Sequence, residues 1–148
     1  MMVPARHAAF VAALSAAVIL GAGCAKESTS VIATVSAETT VPPILILRTV
    51  VMRPADLSRT AMAERSSPYA SDAADRPGPF VFPLELAVTA DESWVGSVVL
   101  TVEGLDWDTH AVTALGSTSA SIVAQQKTTA SLTLTLPIGG GGGDGGTD

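Results

Sequence analysis

The chain has a single cysteine, no asparagine, and aromatic side chains at only 4% of its 148 residues. One cysteine cannot close an internal disulfide, so no disulfide framework holds this protein together. Without asparagine there is no N-glycosylation acceptor, and no hairpin turns on Asn-Gly. Cations are scarce as well: Lys and Arg number 8 against 14 Asp and Glu, for a net charge of -6. Nucleic-acid binding needs clustered cations to neutralise phosphate. Here Arg48, Arg53, Arg59, Arg65 and Arg76 are spread singly, and every charge between positions 77 and 126 is acidic. No nucleic-acid partner is expected. Nor does the chain carry Gly-x-Ser-x-Gly or a phosphate-binding Gly-Lys-Ser/Thr ending. Of two histidines, His7 lies in the leader, so a catalytic triad would hang on His110 alone. An enzyme and a cofactor are therefore not expected.

What is present begins with the leader. Residues 1–7 are short and carry Arg6, residues 8–20 are apolar apart from Ser15, and Gly21-Ala22-Gly23 leads into Cys24. A charged start, an apolar run of this length and small residues at its end read as a secretory signal peptide. The run is short for a transmembrane helix, which needs roughly 20 apolar residues. On these features alone the cysteine is incidental to an ordinary secretory signal. The stretch Leu20-Gly21-Ala22-Gly23-Cys24, however, resembles the lipobox of bacterial lipoproteins, with Gly21 where that family favours Leu and Leu20 one residue earlier. The resemblance implies that the Cys24 thiol receives diacylglycerol, that the chain is cut just before it, and that the new amine is acylated. Each buried methylene contributes about 0.8 kcal/mol, and two or three acyl chains together anchor firmly. The mature protein is then expected on the membrane without spanning it. By the family's sorting rule, Ala25 after the cysteine favours the outer membrane.

Residues 24–43, rich in Ser, Thr, Ala and Pro, read as a flexible tether. As a coil it would hold the body about 25 Å from the anchor. Alternatively, the stretch 31–35, VIATV, adds an edge strand. The body spans 44–137. ILILRTVVM is a β-branched run bounded by Pro43 and Pro54 and is expected as a strand, buried on both faces at its start. Residues 55–79 are expected as a long loop, with a short helix open over PADLSRTAMAER. From Phe80 the period is two. Phe80, Phe82, Leu84, Leu86 and Val88 share one face, and Pro83 on the other suits an edge or a bulge. Val98, Leu100 and Val102 repeat the pattern, and Gly116 is expected at a bulge or bend in the next strand. In ASLTLTLP, Ala130, Leu132, Leu134 and Leu136 are expected inward and Ser131, Thr133 and Thr135 outward. Residues 138–148 form a glycine-rich tail. Alternating strands without a helical period predict an all-β fold, a single antiparallel β-sandwich of six or seven strands. The pattern resembles immunoglobulin-like or prealbumin-like sandwiches of cell-envelope proteins.

Three features are candidate sites. Asp106, Asp108 and His110 alternate, so on a strand they share a face on which a divalent metal is held, or they line a solvated surface. Trp94 and Trp107 flank one strand, where each either stacks on a sugar or fills the rim of the core. Gly139 to Asp144 match one Gly-Gly-x-Gly-x-Asp unit of a calcium-binding repeat, but such repeats work stacked, and a low-complexity linker accounts for it. The expected role is non-enzymatic, structural or binding, with the membrane as partner through the Cys24 lipid and an envelope protein or glycan as a further one. The alternative is a carbohydrate- or calcium-binding module.

Overall fold

The computed structural model describes residues 28–138. The expected signal segment, Cys24 and the glycine-rich tail past Ile138 lie outside the described residues. Seven strands are described: β1 (Ser30–Ala37), β2 (Ile46–Arg53), β3 (Ser58–Ser66), β4 (Leu84–Thr89), β5 (Gly96–Leu105), β6 (Val112–Ile122) and β7 (Lys127–Leu134). A 3-10 turn at Glu92–Trp94 precedes β5. The strands form two sheets, ordered β4-β1-β7 and β3-β2-β5-β6. All neighbours are antiparallel except β1 and β7, which run parallel.

The period-two pattern explains why two sheets form and which faces meet. Val31, Ala33 and Val35 of β1, Leu86 and Val88 of β4, and Leu132 and Leu134 of β7 are buried against Leu47, Val51, Val98, Leu100, Val102, Ala114 and Ile122 of the other sheet. Each large aliphatic side chain buried this way contributes roughly 1.5–3 kcal/mol. As expected, β2 is buried on both faces at its start, with both Ile46 and Leu47 inaccessible. An immunoglobulin constant-type sandwich keeps its first, second, fifth and fourth strands in one sheet. That is not the order found here.

Several expectations are corrected. Residues 30–37, expected within the tether, are β1, and β1 is the central strand of its sheet. Ser and Thr give it a linker's composition, but Val31, Ala33 and Val35 fall on one face, and their burial decides the outcome. Residues 58–66, expected as loop or helix, are β3. The reason lies in its neighbour: the open side of β2 presents backbone donors and acceptors, and β3 pairs along it from Ser58 with Arg53 to Ser66 with Ile46. Gly116 is no bulge. It pairs regularly with Val102, and the register shift falls between Gly104 and Leu105. Leu136 is 48% exposed, because β7 ends at Leu134. Pro83 stands as expected just before β4, an edge strand, with a cis bond to Phe82.

The strands run between two ends. The near end carries Thr29, where β1 starts, and the connections 54–57, 90–95 and 123–126. The far end carries connections 38–45, 67–83 and 106–111 and the exit of the chain towards Ile138. Backbone bonds from Ser30 to Gln126 and from Ala90 to Thr29 tie the near end together. The Arg53 guanidinium adds a 2.6 Å bond to the Ser93 carbonyl across it.

Candidate functional site

The expected metal triad lies in the far-end turn that follows β5, not along a strand. Asp106 sits where the strand stops. Its Oδ1 accepts from the Thr109 N–H at 2.8 Å, the Thr109 hydroxyl at 2.8 Å and the Asp108 N–H at 3.1 Å. This is what Asp does at the first position of a turn. These bonds, led by the Thr109 N–H and then its hydroxyl, hold the Asp106 carboxyl below the usual carboxylate range. His110 has a positive φ of 56° and places Nε2 3.5 Å from Glu64 Oε1 of β3. Asp108 Oδ2 lies 3.6 Å from the guanidinium of Arg76. The three side chains thus point to three different partners. Among the described residues no group of three or more His, Cys, Asp or Glu is placed to hold a metal ion.

The two tryptophans do not form one site either. Trp94 belongs to the near end and Trp107 to the far end, and the ten residues of β5 between them span roughly 30 Å. Trp94 is half-buried against the core, with the Arg53 guanidinium 4.7 Å from its ring centroid. A cation therefore covers part of the ring. Trp107 is half-buried beside the Asp106 turn.

Sequence reasoning missed the clefts around Phe80. At the far end two open clefts, of about 300 and 380 Å3, flank Phe80. Val41, Pro42, Pro43 and Phe82 line the first, and Pro68, Tyr69, Leu84 and Leu86 the second. The walls are fixed by the backbone. The Ser67 N–H donates to the Leu45 carbonyl, the Phe80 N–H to Ile44 and the Gly78 N–H to Tyr69, each at 2.8 Å. Gly78 is required for that closure, since a Cβ there would lie 2.5 Å from the Ala70 oxygen. Loop 67–79 is thereby stapled at both ends against the start of β2. The only local signal was the group of Pro68, Tyr69, Pro77 and Pro79. The linings are mainly apolar, with Glu38 and Thr39 in the first and Arg65, Ser66 and Glu85 in the second, which suits binding by shape and apolar contact.

A second polar feature lies on the outward face of the larger sheet. Arg48 Nε donates to Glu103 Oε2 at 2.5 Å, and Glu103 is buried. The pair spans the neighbouring strands β2 and β5, where Arg48 and Glu103 are direct register partners.

Comparison of the chain with protein-family models, with curated proteins and with solved structures found no match.

Proposed function

We propose that this chain is a bacterial lipoprotein, anchored to the outer membrane through acyl groups on Cys24, and that its sandwich has a non-enzymatic binding or structural role in the cell envelope. The observation that carries the reading is the place of Cys24. The chain's one cysteine follows an apolar run ending in Gly21-Ala22-Gly23 and stands six residues before a strand that enters the centre of a folded sheet. Covalent lipid on such a residue anchors without spanning. Within the sandwich class, the strand order supports the prealbumin-like alternative, because the immunoglobulin order differs. The far end, with its clefts around Phe80, points away from the anchored end and is the surface free to meet an envelope partner. The carbohydrate or calcium alternative gains no support from the separated tryptophans and carboxylates.

Metabolic labelling with a fatty acid tests the anchor. The wild-type chain is expected to take up label and Cys24→Ser to take up none and remain at precursor length. Equal labelling of both would end the lipoprotein reading.

A further inference from the structure

Thr29 is buried and pinned at the near end: its hydroxyl accepts from the Gln125 N–H at 2.9 Å and its carbonyl from the Ala90 N–H at 3.1 Å. Only five peptide links separate it from Cys24. Fully extended, they reach at most about 18 Å. If Cys24 carries lipid, as proposed above, the near end is held within about 18 Å of its anchor. The headgroup layer alone is roughly 5–8 Å deep.

The near end presents two of the exposed large apolar side chains of the described residues, while Tyr69, Val81, Leu136 and Ile138 lie at the far end. Leu57, at the tip of the β2–β3 turn, is 71% exposed and has a positive φ of 58°. Leucine rarely adopts that conformation, and an exposed one contributes nothing to the core. Val95, in the neighbouring connection, is 47% exposed. Trp94, next to Val95 and packed against the core, is of a type enriched at membrane interfaces. Arg53, Arg59 and Lys127 are matched by Asp56, Asp91 and Glu92, so the near end offers no net charge to attract or repel headgroups. From the short reach and this apolar tip we infer that the near end is a membrane-contact surface. Leu57 and Val95 enter the phospholipid interface, and the sandwich stands on the bilayer with the Phe80 clefts and the Ile138 exit facing away from it. The occupant is the phospholipid surface itself, recognised by apolar insertion without dependence on headgroup charge.

The test uses the full lipidated protein in phosphatidylcholine vesicles, in which Cys24 is acylated and an introduced thiol is the only free one. A fluorophore is attached through Leu57→Cys or, at the far end, through Ile138→Cys, a position 98% exposed. Quenching by a nitroxide borne near the lipid headgroup is expected to be several-fold stronger at position 57 than at 138. Should a label disturb the turn, Trp94 fluorescence in the Trp107→Phe protein gives the same readout, against Trp107 in Trp94→Phe. Vesicle-bound protein with equal quenching at both ends would overturn the orientation and leave the anchor standing. Protein that carries no lipid and does not float with vesicles would overturn the anchor and this inference with it.

Discussion

Leu115 of β6 and Thr135, just past β7, exchange both backbone hydrogen bonds, at 2.9 and 3.0 Å. This bridge joins the two sheets along one side of the sandwich. It demands close approach, and Gly116 supplies it. A Cβ at 116 would lie 2.5 Å from the Thr133 oxygen and 2.8 Å from Leu132 Cδ1. Backbone on one side and a core leucine on the other leave no cheap relaxation. Gly116→Ala is expected to destabilise the fold by about 1–3 kcal/mol, as overpacking does. Chemical denaturation measures it, and an unchanged midpoint would mean that the sheets are not stitched here.

The inward register of β7 makes a paired prediction. Leu134 is fully buried, whereas Thr133 faces outward. Leu134→Ala is expected to cost about 2–5 kcal/mol. Thr133→Ala is expected to fall within the ±0.5 kcal/mol or so usual for surface positions. Similar losses at both sites would contradict the register.

The strands show where local sequence suffices. β7 was legible because Leu132 and Leu134 alternate with Ser131 and Thr133, and one face alone is apolar. β1 carries the same alternation in Val31, Ala33 and Val35, but its small and hydroxyl side chains have the composition of a linker. Its place depends on β4 and on a parallel pairing with β7, nearly a hundred residues away, which no local pattern encodes. β3 is harder still: Ser58, Arg59, Thr60, Glu64 and Arg65 have no buried stripe, and only the open edge of β2 makes them a strand. At the candidate sites, alternation of Asp106, Asp108 and His110 suggested a shared face. The deciding fact was that β5 ends at Leu105, after which alternation no longer means convergence.

The Arg48–Glu103 pair is open to a double-substitution test. Arg48→Met leaves a buried carboxylate without its partner and is expected to cost about 1–3 kcal/mol. Adding Glu103→Leu is expected to recover most of that loss, since an apolar pair of similar size often replaces a buried ion pair without penalty. Additive losses in the double variant would show that the two side chains do not act as a pair.

Acid stability follows from the turn carboxylates. Asp56 is held low chiefly by the Ser58 N–H, Asp91 by the Ser93 hydroxyl, and Asp106 by the Thr109 N–H. A carboxyl with a lowered pKa in the folded state stabilises above its ordinary value of 3.8 and loses that contribution as the pH falls through the folded value. The melting temperature is therefore expected to drop as the pH falls below the ordinary value. Replacing all three by Asn, which keeps an acceptor at each turn, is expected to flatten that drop. A slope identical to wild type would assign acid sensitivity to other groups.

The most direct test of the anchor at Cys24 is mass spectrometry of the N-terminal peptide from the mature protein in a bacterial envelope fraction. The account predicts a peptide that begins at Cys24 and carries diacylglycerol on sulfur and an acyl group on the amine. A mature peptide with an unmodified Cys24 thiol, or one that begins at another residue, would contradict it.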